Sequence, residues 1–122
     1  MKNILIGMDI SKHSFEVFGR DETGSAVIRK RLYRSEVLNF YANLKPCKIG
    51  IEACGGAHYW ARELMAFGHE VRLISPQFVK PYVKSNKNDR ADAEAICEAV
   101  SRPGMRFVGI KSVSQQDALS LH

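Results

Sequence analysis

The chain has 122 residues, of which 45% are hydrophobic and 25% are charged. This length is typical of one domain. A domain of this size can form one packed core without stabilising disulfide bonds or metal ions. No apolar run approaches the ~18 residues of a membrane-spanning helix, and the first ten residues resemble neither a signal nor a transit peptide. The three cysteines lack CxxC spacing, which argues against a disulfide framework and favours buried thiols in a reducing cytoplasm. The net charge of +5 permits nucleic-acid binding without establishing it.

The first part of the chain predicts a three-stranded antiparallel meander. Short polar turns separate its apolar or alternating segments, which are residues 3–10, 14–20 and 26–33. The remainder alternates between helix and strand. In chain order we expect a helix that Ser35 caps and Pro46 ends, a strand over 48–52, a helix over 57–67 stopped by Gly68, a strand over 70–74, a polar and basic segment over 77–88, a helix over 89–100, an extended segment over 106–110 and a helix from 112 onwards.

Alternating helices and strands imply right-handed crossovers and parallel strands. We therefore predict an α/β fold whose mixed sheet has three antiparallel strands followed by parallel strands, with helices on both faces. Ligands of such sheets bind outside the carboxyl ends of the strands. Chemistry-bearing residues at those ends are accordingly the first candidates for a functional site.

Four carboxylates are candidates for one site at that edge. Asp9 lies near the end of the first strand, and Glu52 ends the fourth. Asp89 and Asp92 start a predicted helix three residues apart, so they share one helical face. Gathered together these acids repel one another, and a divalent cation removes that repulsion. Oxygen ligands without histidine or cysteine suit Mg²⁺ or Mn²⁺, and a pair of such ions supports phosphodiester exchange.

Each acid also has an ordinary structural explanation. Asp9 can cap a buried turn, and Glu52 can be a solvated acid at a strand end. Asp89 and Asp92 can interact with the macrodipole at the start of their helix. The conjunction of two strand-end acids with a DxxD helix start is more specific than any one of them.

Three motifs resemble the N-terminal domain of DEDD-type insertion-sequence transposases, a family that includes the pilin-gene invertases. They are GMDISK at 7–12, IEACGGAHYW at 51–60 and KNDRADAEAI at 87–96, and the resemblance spans nearly the whole chain. The first motif alone also suits sugar kinases and other actin-like ATPases. The resemblance implies a RuvC-like, ribonuclease-H-like fold. It also implies that the catalytic, metal-binding acids of the family are Asp9, Glu52, Asp89 and Asp92.

The resemblance further implies an enzyme that cuts and rejoins DNA, guided by a structured RNA and acting as a homo-oligomer in a prokaryotic cytoplasm. Proteins of the family are longer, and their second domain carries a serine nucleophile that no serine near residue 122 matches. We expect residues 1–111 to form the RuvC-like domain and residues 112–122 to begin a helix leading to that second domain. The chain alone is then expected to be inactive.

Basic residues lie on both sides of the predicted site. The candidate nucleic-acid contacts next to the acidic helix are Lys80, Lys84, Lys87 and Arg90. Phe78 and Tyr82 are interleaved with them, and cations with aromatic rings contact phosphates and stack on bases. Lys12, beside Asp9, is either a phosphate contact or a turn cap. A second basic stretch over 29–34 is either a solubilising edge strand or a contact to a nucleic-acid backbone.

Three alternatives remain at this stage. A stand-alone Holliday-junction resolvase of the same fold would cut branched DNA with Mg²⁺. A non-catalytic nucleic-acid-binding module would bind equally well after Asp9→Ala combined with Asp92→Ala. An actin-like ATPase would need a Gly-rich phosphate loop, for which residues 21–24 (DETG) are a poor match.

Overall fold

The computed structural model describes residues 3–84 and 89–120, with the side chains of 89–91 and 117–120 outside the description. One mixed sheet has the strand order β3-β2-β1-β4-β5. Its strands are β1 (Leu5–Ile10), β2 (Ser14–Arg20), β3 (Ala26–Tyr33), β4 (Lys48–Glu52) and β5 (Glu70–Ile74). Strands β1, β2 and β3 are antiparallel neighbours, whereas β4 runs parallel to β1 and β5 parallel to β4. The predicted mixed sheet is confirmed.

Helices cover both faces of this sheet. They are α1 (Arg34–Ala42), α2 (Ala57–Ala66), α3 (Pro76–Val79), α4 (Asp89–Ser101) and α5 (Val113–Ser120). The larger core lies between the sheet and helices α1 and α2, where Met8 and Ile51 pack with Trp60. On the opposite face Ile74 packs with Ile96 of α4. Within the described ranges, no helix combines the length and the apolar character needed to cross a membrane.

Helix α4 lies directly on the sheet because two strand positions have no side chain. A Cβ atom on Gly7 would be 2.5 Å from the backbone nitrogen of Cys97, and one on Gly50 would collide with Val100. The Sγ of Cys97 also donates to the Leu5 carbonyl, at 3.4 Å. Later residues of α4 therefore lie over earlier residues of β1. Helix α4 runs antiparallel to β1, and its first turn lies at the carboxyl edge of β1 and β4.

The start of α1 differs from the prediction. Ser35 does not cap the helix, because α1 already begins at Arg34. The carboxylate of Glu36 instead accepts a hydrogen bond from the Tyr33 backbone N–H, at 2.8 Å. This bond satisfies an N–H group near the helix start that has no partner within the helix.

The segment after β5 also differs from expectation, whereas the later extended segment agrees with it. The polar and basic segment after β5 contains α3 and a 3₁₀ turn over Lys80–Tyr82, because Pro76 starts a helix and Val79 is buried against α4. The extended segment expected over 106–110 makes one isolated bridge, in which the Val108 N–H donates to the Leu73 carbonyl at 2.8 Å. That single bridge extends the sheet beyond β5.

Candidate active site

Two of the predicted acids lie side by side at the carboxyl edge of the sheet. Met8 of β1 is paired with Ile51 of β4, so the residues that follow, Asp9 and Glu52, stand at the same level on adjacent parallel strands. Each comes two residues after a glycine that faces α4, and side chains of a strand alternate between its faces. Asp9 and Glu52 therefore share the α4 face, and both are half-buried.

Asp92, in the first turns of α4, acts electrostatically on one of these two acids. Its charge raises the pKa of Glu52 above the ordinary value, as a second cause after burial of the Glu52 carboxyl. The structure thus brings Asp92 close to Glu52, and strand register brings Asp9 beside Glu52. The backbone of Asp89 forms the first residue of α4, while its side chain lies outside the described part.

A further acid, Glu16, adjoins this group and was missed by the sequence analysis. Glu16 on β2 is the direct cross-strand partner of Asp9, and Arg31 on β3 is the direct partner of Glu16. The Glu16 residue is only 7% exposed, and its Oε1 accepts a hydrogen bond from Arg31 Nε at 2.6 Å. The short polar turn between β1 and β2 could have revealed it, because that turn fixes the register of the hairpin.

The described residues, which exclude the Asp89 side chain, contain no group of three histidine, cysteine or carboxylate side chains close enough to hold a metal ion. The candidate donors are carboxylate oxygens alone, which is the ligand type of hard divalent cations. The carboxyl of Glu52, with its raised pKa beside Asp92, is also a group that a nearby cation would stabilise in its ionised form.

Among the basic residues expected beside the acids, those that the structure describes are exposed. Lys12 is exposed in the turn after β1, Lys80 is exposed in the 3₁₀ turn, and Lys84 is exposed shortly after it. Lys87 lies outside the described residues, and so does the side chain of Arg90.

The second basic stretch makes extensive contacts within the chain. Arg29 pairs with Glu94 of α4 at 2.5 Å. Lys30 lies over the Phe40 ring, and Arg34 over the rings of Phe15 and Trp60. These contacts agree with the first of the two interpretations of residues 29–34, a charged edge strand.

The remaining histidine and cysteine side chains near the site have other surroundings. His58 Nδ1 accepts a hydrogen bond from the Lys111 backbone N–H at 3.0 Å, so it is bonded to the segment between α4 and α5. Cys54 is exposed two residues after Glu52, in the loop between β4 and α2, and Cys47 is only partly buried, so the expected burial of all three thiols holds for Cys97 alone. Burial raises the pKa of the Cys47 and Cys97 thiols to about 11, consistent with structural roles.

Comparison with solved structures places this fold in a known class. The structure titled "T. thermophilus RuvC in complex with Holliday junction substrate" matches with a TM-score of 0.58, covering 87% of this chain and 99% of that chain at 11% identity. At this identity the likeness shows the fold alone, and that fold is ribonuclease-H-like. The family model for DEDD transposases of the IS110 type, described as "Transposase", matches residues 6–120. The chain therefore belongs to this transposase family, as the sequence motifs predicted.

Curated relatives agree with this assignment. A "Probable family 20 transposase" of Pseudomonas aeruginosa is 56% identical over 96% of this chain and 35% of its own length. A "Putative transposase y4pF/y4sB" of Sinorhizobium fredii is 55% identical over 97% of this chain and 30% of its own. The "Transposase for insertion sequence element IS1328" of Yersinia enterocolitica is 50% identical over 100% of this chain and 37% of its own length. The chain spans about a third of the length of these relatives.

Proposed function

We propose that this chain forms the carboxylate-bearing domain of a transposase that cuts and rejoins DNA during movement of an insertion sequence. The observation that carries the proposal is the strand register that sets Asp9 and Glu52 side by side at one edge of the sheet, where the charge of Asp92 also acts on the Glu52 carboxyl. Membership of the transposase family supplies the reaction class. Guidance by a structured RNA, assembly into a homo-oligomer and a cytoplasmic location belong to the same proposal and rest on the family resemblance.

In the proposed site, Asp9, Glu52, Asp89 and Asp92 hold Mg²⁺ or Mn²⁺. When bound, such an ion stabilises negative charge on the attacking and leaving oxygens of a phosphodiester. The residues of this chain have two tasks. The acids supply oxygen ligands at the first turns of α4, where the helix dipole favours negative charge. Exposed lysines at the same edge draw the phosphate backbone towards the acids.

The lysines proposed for this second task are Lys12, Lys80, Lys84 and Lys87, together with Arg90. Charge reversal at Lys80 and Lys84 is expected to flatten the salt dependence of DNA binding, since each lost phosphate contact lowers the slope of log K against log salt. An unchanged slope would remove these two residues from the proposal.

Thermal melting with Mn²⁺ or Mg²⁺ tests the metal site without requiring activity. A cation that binds only the folded chain stabilises it by about 2.7 kcal/mol at a hundredfold excess over its Kd. We expect Tm to rise with cation concentration, and Glu52→Gln combined with Asp92→Asn to abolish that rise. The matched control, Glu22→Gln combined with Glu70→Gln, removes two exposed carboxylates at the opposite edge of the sheet and is expected to retain it.

Persistence of the cation-dependent rise in the Glu52 and Asp92 double variant would contradict the proposed site. Cleavage of branched DNA by this chain alone would instead favour a stand-alone junction resolvase. DNA binding that is unaltered by Asp9→Ala combined with Asp92→Ala, together with no effect of the cation on Tm, would favour a non-catalytic binding module.

A further inference from the structure

A row of charged side chains crosses four adjacent strands at the edge of the sheet that carries the acids. Its members, in spatial order from β3 to β4, are Arg31, Glu16, Asp9 and Glu52. Direct cross-strand partners project to the same face, so all four lie on the face that carries α4. Neighbouring strands are roughly 4.8 Å apart, which places the Arg31 backbone roughly 10 Å from that of Asp9.

Glu16 fixes the position of Arg31 within this row. The Glu16 side chain is 9% exposed, and a buried carboxylate is costly unless it is paired and hydrogen-bonded. The bond from Arg31 Nε at 2.6 Å provides that pairing. The Arg31 side chain is nevertheless 64% exposed. An arginine carries five donors in a planar fork, so it can hold a carboxylate through one side and a phosphate through another.

Arg29, two residues earlier on the same strand and on the same face, provides a contrast. Its guanidinium pairs with Glu94 of α4 and lies 4.8 Å from the centroid of the Phe18 ring. Phe18 is the cross-strand partner of Gly7, so Arg29 lies level with the middle of β1 and helps to pack α4 on the sheet. Arg31 lies level with the acids instead, and it is bonded to Glu16, a residue of the sheet itself.

We infer that Arg31 binds a backbone phosphate of the DNA strand that occupies the acidic edge, and that Glu16 is its positioning residue. The inference rests on the proposed function, because it takes DNA to be the substrate of that edge. One DNA strand advances about 3.4 Å per nucleotide along the helix axis. A phosphate on Arg31 would then lie within about three nucleotides of the phosphate at the acids.

The test is DNA binding by this chain, measured between 50 and 200 mM salt with a duplex oligonucleotide. Arg31→Met is expected to weaken binding about tenfold and to reduce the slope of log K against log salt by about 0.9, the value for one phosphate contact. Arg29→Met makes the same charge change on the same strand and is expected to weaken binding less than twofold. Glu16→Gln keeps the charge of Arg31 but loosens its position, so an intermediate loss is expected.

Arg31→Met leaves Glu16 buried beside a neutral side chain, which can destabilise the fold. A second variant therefore distinguishes loss of DNA binding from loss of folding. Glu16→Gln combined with Arg31→Met removes both charges, and it is expected to melt like the unmodified chain while keeping the reduced salt slope. Equal effects of Arg29→Met and Arg31→Met would overturn the inference, and so would absence of DNA binding at 50 mM salt. Neither result changes the outcome of the cation-dependent melting experiment, which tests the proposed function separately.

Discussion

The Asp92 carboxylate, on α4, lies close enough to Glu52, at the end of β4, to raise the pKa of the Glu52 carboxyl. Burial of Glu52 acts in the same direction and is the larger cause. The fold therefore holds a group whose ionised form is disfavoured at the place where a cation would compensate it. Such an arrangement costs stability in the absence of the cation, and that cost can be measured.

Glu52→Gln is expected to stabilise the chain at pH 7 in the presence of a chelator. Folding raises the pKa of Glu52 above 4.5. Between pH 4.5 and the raised pKa, the folded chain therefore binds more protons at Glu52 than the unfolded chain does. The free energy of unfolding then decreases as pH rises through the raised pKa. Thermal melting should show a higher Tm for the variant at pH 7 and no difference below pH 4.

Glu22→Gln, in the exposed turn before β3, is the control for loss of one negative charge. It is expected to leave Tm unchanged at both pH values. A Tm for Glu52→Gln at pH 7 equal to or below that of the unmodified chain would show that Glu52 is not under electrostatic strain.

Gly7→Ala is expected to destabilise the chain by about 1–3 kcal/mol, the usual cost of overpacking. The added methyl group would lie 2.5 Å from the Cys97 nitrogen and closer still to the Ala93 carbonyl oxygen. Both are backbone atoms of α4, so relief requires the whole helix to shift. Urea unfolding measures the loss. Gly55→Ala is the control, because a Cβ at that position meets no atom within 4 Å, and an equal loss there would refute the explanation.

The sequence predicted β2, β3, β4 and β5 with their observed bounds, because period-two alternation and short apolar runs between turn residues are local signals. It also predicted the edge at which Asp9 and Glu52 meet, since parallel strands present their carboxyl ends together. It missed the structural importance of Gly7 and Gly50, which depends on a helix that is distant in the sequence. It missed Glu16 because the relevance of that residue depends on hairpin register rather than on composition.

Backbone protection at Lys111 is expected to decrease below pH 6.5. His58 Nδ1 accepts the Lys111 N–H, and Arg62 of the same helix donates to the Lys111 carbonyl and to Gln116 Oε1. The pKa of His58 is lowered by desolvation and by the charges of Lys111 and Arg62. The folded chain therefore binds fewer protons at His58 than the unfolded chain does, and this contribution to stability is complete above pH 6.5 and lost as pH falls.

Amide hydrogen exchange, corrected for its intrinsic pH dependence, measures this effect. The matched control within the chain is the Val108 amide, whose acceptor is the Leu73 carbonyl at 2.8 Å and does not titrate in this range. His58→Leu is expected to remove the pH dependence at Lys111 and to leave Val108 as it was. Protection at Lys111 that stays constant from pH 7.5 to 5 would contradict a role for His58 in holding this segment.

Thiol labelling is expected to modify one cysteine per folded chain at pH 8. Cys54 is exposed in the loop after β4, whereas Cys97 is buried and Cys47 is partly buried. Burial also raises the pKa of both latter thiols to about 11, so the reactive thiolate is scarce at pH 8. Maleimide addition followed by mass spectrometry should show a single fast adduct, which Cys54→Ser removes. Labelling of all three cysteines at similar rates in the folded chain, with denatured protein as the reference, would refute the placement of Cys47 and Cys97.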